Sequence, residues 1–251
     1  MTPTPRQTLL VHGARSSYAE ELVELLRILV VGGVPLGVLV AGLGSRLAML
    51  VLRLTSPDSV RGVRSDDGFV IGQVTLGGTY QLLSLGAAVG IIGAAAYVAV
   101  APWLIGPRWL RSVTVGATAG ALVGSMVIHP QGIDFTVLSP VWLAVLLFVA
   151  LPVLTGLLLP LSVDAAASPD SWAARGRQRW VVPAALLLLF PLALVVGLVV
   201  AAIVALLLPV RRAFLTRLSR SAAATWVLRV AFALIPVAAG LALAGDLAEL
   251  F

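Results

Sequence analysis

Four residues in two polar stretches of the sequence form a first candidate site, because their side chains are of types that bind metals or transfer protons. Asp66 and Asp67 lie in one polar stretch, and His129 and Asp134 lie in another. Three carboxylates and an imidazole are sufficient to bind a divalent metal ion or to supply a general acid and a general base. The same residues also fit structural roles, namely a solvated turn, a helix end before a proline and a helix cap. We favour the structural interpretation and keep the cluster as a candidate site.

Six arginines form a second candidate group, because a guanidinium binds phosphates and anionic lipid headgroups through paired hydrogen bonds. They are Arg61, Arg64, Arg211, Arg212, Arg217 and Arg220. Anchoring of basic segments at the membrane interface, without a dedicated pocket, explains these residues equally well. Under either explanation the expected partners are membrane lipids, anionic ones above all.

The residue types that the sequence lacks exclude several kinds of chemistry. All 17 basic residues are arginine, so there is neither a Schiff-base lysine nor the lysine of a Walker A loop. There is no cysteine, which excludes disulfides, thiolate catalysis, iron–sulfur clusters and cysteine-ligated zinc. No cofactor is identified. Nucleic acid is not an expected partner despite the pI of 11.2, because the arginines are scattered between apolar segments, where lipid headgroups are nearer.

The composition of the chain predicts that transmembrane helices position these residues. The chain of 251 residues is 60% apolar and 11% charged, with a mean hydropathy of +1.06, which is typical of an integral membrane protein. We predict an all-α, polytopic fold that forms a single membrane domain over residues 1–251, with about six transmembrane helices. A polar segment at 1–17 precedes the spans, and the main polar loop, loop one, is 55–79. The predicted spans are about 28–45, 80–102, 112–128, 140–161, 180–210 and 224–245.

The fifth apolar stretch, 180–210, does not have the length of a standard span. It is too long for one upright helix and too short for two full crossings at about 20 residues each. One tilted helix, bent near Pro191, is the simpler interpretation, and a hairpin is the alternative. The loops are numbered in chain order, so that loop three is 129–140, loop four is 162–179 and loop five is 211–220. With six crossings, loops one, three and five lie on the same membrane face, where the polar residues and the arginines can converge. Eight arginines then lie on one face and nine on the other, so the positive-inside rule leaves the orientation undetermined.

Glycines at four-residue spacing mark helix faces that allow close packing. Gly116, Gly120 and Gly124 form a tandem GxxxG in the third span, and Gly86 and Gly90 repeat the spacing in the second. Small residues at this spacing let two helix backbones approach closely. We therefore predict a closely packed pair of the second and third spans.

Two motifs in the middle of the chain resemble a known group of proteins. The sequence reads SDDGFVIG in loop one and HPQGIDFTVLSPVWLAVLLFVALP across loop three and the fourth span. In this it resembles uncharacterised bacterial multi-pass membrane proteins that carry SDDGF with a following IG, and later HPxGxDFT leading into LFVALP. The resemblance covers roughly residues 64–161 and implies a shared fold core and loop pair. The group has no established activity, so no functional residue follows from it.

The expected function is that of a non-enzymatic membrane subunit or accessory protein, because intramembrane charge is almost absent and packing motifs are abundant. One alternative is a metal-dependent or lipid-headgroup-dependent site formed by loops one and three. A small-solute transporter or channel is a weaker alternative, since no acid lies in the middle of a predicted span. The expected location is the cell membrane, as a multi-pass protein of a bacterial inner membrane, with a membrane protein as a possible partner.

Overall fold

The fold is all-α, as the composition predicts. The structure, a computed structural model, describes residues 17–60, 62–63, 70, 73–129, 131–218 and 222–250, without the side chains of 133–134, 210–218, 222 and 224. Of these described residues, 87% are helical. Six of the helices are long and apolar enough to cross a membrane, so the chain has the architecture of a multi-pass membrane protein.

The first span is a continuous helical run of three parts: α1 (Tyr18–Leu36), a π-helical segment (Gly37–Leu43) and α2 (Gly44–Thr55). α1 begins with a capping box, in which the Ser17 hydroxyl accepts from the Glu20 amide at 3.3 Å and the Glu20 carboxylate accepts from the Ser17 amide at 3.1 Å. The π-helical turns begin two residues after Pro35, which lacks an amide hydrogen and so disturbs the α-helical bonding there.

The remaining helices are labelled in chain order. They are α3 (Leu76–Val100), α4 (Arg108–Val127), α5 (Ile133–Val137), α6 (Val141–Ala167), α7 (Gln178–Leu189), α8 (Pro191–Leu218) and α9 (Ala222–Leu250). α5 is a single short turn inside loop three, and α7 is an apolar helix of 12 residues, which is too short to cross a bilayer alone.

Contacts along the helices show that α3 and α6 run opposite to α1. Gly33 and Gly37 of α1 and the π-helical segment lie against Gly90 and Gly86 of α3, so the numbering rises in one helix as it falls in the other. A guanidinium nitrogen of Arg27 likewise reaches a backbone carbonyl one residue before the end of α6. We name the end of the bundle where α1 begins and α3 and α6 finish the near end. The opposite end, where α2 finishes and α3 and α6 begin, is the far end.

Glycine packing in the spans uses different helix partners from those predicted. A Cβ on Gly86 would lie 2.5 Å from the Gly37 carbonyl oxygen of the first span, and one on Gly116 would lie 2.7 Å from Leu157 Cγ of α6. Thus the second span packs on the first, and the third packs on the fourth. The predicted close pair of second and third spans is wrong, because glycine spacing identifies the small face of a helix but not the helix that approaches it.

The stretch 180–210 is a helical hairpin and not the single tilted helix that we took as the simpler interpretation. The helix breaks at Phe190, whose extended backbone (φ −125°, ψ 91°) separates α7 from α8. Leu187 Cδ2 lies 3.2 Å from the position of a Cβ on Gly197, although a straight helix would hold these residues about 15 Å apart. α7 therefore folds back along α8.

The hairpin reverses the direction of the last two spans. The Tyr80 hydroxyl at the far end donates to the Leu189 carbonyl at 2.6 Å, and the Tyr18 hydroxyl at the near end donates to the Ala205 carbonyl. α8 therefore runs from the far end to the near end. α9 runs back, because Phe232 stacks on Trp103 at the near end, whereas its last turns pack with Leu52 and Phe135 at the far end. The end of α8, which holds residues 211–218 of loop five, and the start of α9 consequently lie at the near end.

Candidate functional site

Loops one and three, which carry the predicted polar cluster, meet at the far end. Ser56, the residue after α2, has a hydroxyl that accepts from the Ser139 amide at 2.9 Å and donates to the Ser139 carbonyl at 3.2 Å. Beside this contact, Leu52 is buried with Phe135 and Leu138 of loop three. This is the juxtaposition of the two loops that the sequence predicts.

The structure does not bring the four predicted site residues together into a described cluster. Asp66 and Asp67 lie outside the described residues, and the side chain of Asp134, which belongs to α5, lies outside them too. His129 is solvent-exposed and follows the fully buried Ile128. Within the described part of the chain there is no group of three His, Cys, Asp or Glu residues placed to hold a metal ion. A metal or acid–base site in these loops stays a prediction.

The described members of the predicted headgroup arginines lie at the near end of the bundle, whereas α2 leads into loop one at the far end. Arg61, Arg64 and Arg220 lie outside the described residues. Arg211, Arg212 and Arg217 belong to the last turns of α8, and the hairpin brings this part of α8 to the near end. The predicted arrangement, with loop five on the same face as loop one, is wrong because the chain turns back at Phe190.

A polar cluster that the sequence analysis missed ties the first span to the fourth at the near end. Arg27 is only 2% exposed, and its Nη2 donates to Glu24 Oε1 at 2.6 Å and to the Ala166 carbonyl at 2.9 Å. Its Nε donates to Glu24 Oε2 at 3.0 Å, so the carboxylate is held by two parallel bonds. The spacing of Glu24 and Arg27 on one helix face was the available signal, because residues three apart in a helix are neighbours.

Two further hydrogen bonds extend this cluster. The Tyr97 hydroxyl of α3 donates to Asp164 Oδ1 of α6 at 3.3 Å, and the Ser162 hydroxyl donates to the Gly32 carbonyl at 2.6 Å. The sequence assigned Asp164 to loop four, but α6 continues for six residues beyond the predicted end of the span at 161. The cluster thus joins α1, α3 and α6 through three separate sets of hydrogen bonds, which is the arrangement of a structural clamp. Nη1 of Arg27 is buried without a hydrogen-bond partner in the described structure.

The interior between α1, α3, α7 and α8 offers little room for a substrate. A cavity of about 90 Å³ lies there, lined by apolar residues that include Leu26, Leu29, Ile91 and Leu187. An apolar space of this size does not suit a polar solute, because none of the side chains that line it offers a hydrogen bond.

Comparison of the chain with protein-family models, with curated proteins and with solved structures finds no match. The helix packing and the polar contacts of the chain itself are therefore the basis for assigning a function.

Proposed function

We propose that the protein is a non-enzymatic membrane subunit or accessory protein that presents its last helix, α9, to another membrane protein. The observation that carries this proposal is the difference in burial between the spans. In the most apolar stretch of the first span 61% of the residues are buried, whereas in the last span only 6% are. α9 is attached at the edge of the bundle, mainly along α4, where Leu243 packs against Gly124.

The glycines of α9 support an additional helix partner. Apart from Gly77 and Gly78 at the start of α3, the glycines that the structure describes inside the other spans all face an atom of a neighbouring helix within 4 Å. These are Gly32, Gly33, Gly37, Gly42, Gly44, Gly86, Gly90, Gly93, Gly116, Gly120, Gly124, Gly156 and Gly197. Gly240 and Gly245 of α9 have no such neighbour. Glycine weakens a helix by up to about 1 kcal/mol relative to alanine. In membrane helices it is enriched where another backbone approaches closely.

The test is extraction of the tagged, full-length protein in native lipid, followed by mass spectrometry of the proteins that purify with it. We expect a stoichiometric membrane protein partner. Gly240→Leu should release that partner, because the larger side chain keeps the two helix backbones apart. Gly77→Leu is the matched control, since Gly77 also faces open space but lies outside α9.

Two results would contradict the proposal. One is purification of the wild-type chain without any stoichiometric protein partner. The other is retention of the partner by the Gly240→Leu variant at the wild-type level.

A second candidate function is a metal-dependent or lipid-headgroup-dependent site in loops one and three. The hydrogen bonds between Ser56 and Ser139 support it, because they hold the two loops together. Alanine at Asp67 or Asp134 should then abolish retention of a divalent metal or a specific lipid while the protein stays folded. Unchanged retention in the same extraction experiment would rule this site out. A transporter or channel gains no support from the cavity between α1, α3, α7 and α8, because that cavity is small and apolar.

We propose that the protein is located in the plasma membrane, as a bacterial inner-membrane protein. The motifs in loops one and three support this placement through their resemblance to bacterial multi-pass proteins.

A further inference from the structure

The two ends of the bundle differ strongly in the number of arginines that they carry. Five of the 17 arginines lie outside the described residues, which leaves twelve: ten at the near end and two in α2 toward the far end. The near-end residues of α1, α4 and loop four are Arg27, Arg108, Arg111, Arg175 and Arg177. Those of α7, α8 and α9 are Arg179, Arg211, Arg212, Arg217 and Arg229, and the two in α2 are Arg46 and Arg53.

Acidic residues do not cancel this difference. The near end has five acids in the described residues, Glu20, Glu21, Glu24, Asp164 and Asp170, against its ten arginines. The far end has four, Asp58, Asp134, Asp246 and Glu249, against two arginines. The described part of the chain thus has a net formal charge of +5 at the near end and −2 at the far end.

Tryptophans are concentrated at the same end. Five of the six lie at the near end, namely Trp103, Trp109, Trp172, Trp180 and Trp226, and Trp142 lies at the far end. Two of them pair with arginines: the guanidinium of Arg179 lies 5.4 Å from the ring centre of Trp180, and that of Arg229 lies 5.1 Å from the ring centre of Trp226. Tryptophan is enriched at the level of the lipid headgroups, so these pairs place arginines where phosphates lie.

Several of these arginines are available to an external anion. Arg108, Arg175 and Arg177 are exposed. Arg175 donates to the Asp170 backbone carbonyl at 3.0 Å, and its contact with the almost fully exposed Asp170 carboxylate is long, 3.9 Å. The oxygen atoms of lipid phosphates accept hydrogen bonds from exposed guanidinium groups of this kind.

We propose that the near end faces the cytoplasm and that its arginines bind the anionic headgroups of the inner leaflet. Arginines are enriched on the cytoplasmic side of membrane proteins, and the anionic lipids of that leaflet attract basic residues near the surface. Sequence alone gave eight arginines against nine because it put loop five at the wrong end. Because of the hairpin, the arginines of α8 lie at the near end. The difference in arginine number between the two ends is then large enough to predict the orientation in the membrane.

The orientation can be tested with two single-cysteine variants, because the chain has no native cysteine. Gln178→Cys marks the near end and Gln131→Cys marks the far end, and both positions are exposed. In intact cells a membrane-impermeant maleimide should label Gln131→Cys and should label Gln178→Cys only after the membrane is permeabilised. The reverse pattern, or labelling of both positions from one side, would overturn the proposal.

Headgroup binding can be tested on the purified full-length protein in nanodiscs that contain phosphatidylglycerol and phosphatidylcholine. The double variant Arg175→Gln, Arg177→Gln should have a lower preference for phosphatidylglycerol over phosphatidylcholine in its lipid shell. We expect a decrease of about fivefold for each arginine removed. Native mass spectrometry measures this preference. Arg53→Gln at the other end is the matched control and should leave the preference unchanged. An undiminished preference in the double variant, or an equal loss in the control, would overturn lipid binding by the near end. Neither test depends on a protein partner, so failure here is distinct from failure of the proposed function.

Discussion

The first and last spans of the molecule have similar composition but opposite relations to the bundle. Both are long, apolar helices with glycines and a proline in their interior. The first lies between α3, α6 and the hairpin, and its glycines meet backbone atoms of the neighbours; the last touches the bundle along one edge. Because lipid is as apolar as the side chains, hydrophobicity does not decide which helix becomes central. Close contact between backbones and polar clamps between helices decide which helix lies in the centre.

The largest effect is expected where two backbones meet in the centre of the bundle. Gly90→Leu should prevent the first and second spans from packing, because even a Cβ at this position would lie 2.7 Å from the Gly33 carbonyl carbon. Overpacking at a site without room should cost about 3 kcal/mol or more. The midpoint of thermal unfolding in detergent measures the loss, and Gly77→Leu is the control without a neighbour. A wild-type midpoint in the Gly90→Leu variant would show that the two spans are not in contact.

A somewhat smaller loss is expected from the clamp at the near end. Arg27→Ala leaves the Glu24 carboxylate and the Ala166 carbonyl without their common donor. We expect a loss of about 2–3 kcal/mol, because the arginine is buried while its acidic partner is partly exposed. Arg53→Ala removes a long pair with an 80% exposed carboxylate, so it should cost about 0.5 kcal/mol or less. Equal losses in the two variants would show that the clamp does not stabilise the bundle.

The hairpin tip is expected to show an effect of intermediate size. Tyr80→Phe removes the donor to the Leu189 carbonyl but keeps the ring that stacks on Phe190 at 6.3 Å. The expected loss is about 1 kcal/mol, the usual net value of one hydrogen bond. Chemical denaturation of the detergent-solubilised protein measures it. Tyr80→Leu should cost more, since it also removes the stacked ring, and the opposite ranking would contradict the described tip.

The smallest effect is expected on the last span. Leu241 is 71% exposed on α9, so Leu241→Ala should change the stability of the isolated protein by no more than about 0.5 kcal/mol. The same unfolding measurement checks this. A loss comparable to that of Arg27→Ala would mean that α9 is packed in the bundle, and the contrast between the first and last spans would disappear.

Composition and periodicity were sufficient to predict the helical membrane fold and the presence of six long apolar helices. The glycines that pack were also identified, because four-residue spacing is a local property of one helix. Their partners were not, since Gly86 and Gly116 look alike in sequence and the choice of neighbour depends on the whole bundle. The Arg27 clamp was missed for the same reason: its carbonyl acceptor lies 139 residues away.

The hairpin was the most consequential difference from the sequence analysis. The stretch around Phe190 is apolar on both sides, so no polar loop marks the turn, and a break before a proline is also typical of a kinked helix. The contacts that distinguish a reversal from a bend are those of Leu187 with Gly197, of Tyr80 with Leu189 and of Tyr18 with Ala205. This single turn decides at which end of the bundle the arginines of α8 lie. It therefore also decides the net charge of each end.

The reversal at Phe190 is the central claim, and cysteine labelling at three positions tests it most directly. Gln178 precedes the hairpin, Ala223 follows it, and Gln131 marks the far end. All three residues are exposed, and the native chain has no cysteine that would react in their place. We predict that Gln178→Cys and Ala223→Cys react with an impermeant maleimide from the same side of the membrane, and Gln131→Cys from the other. Labelling of Ala223→Cys from the same side as Gln131→Cys would show a single crossing between 178 and 223 and would contradict the account.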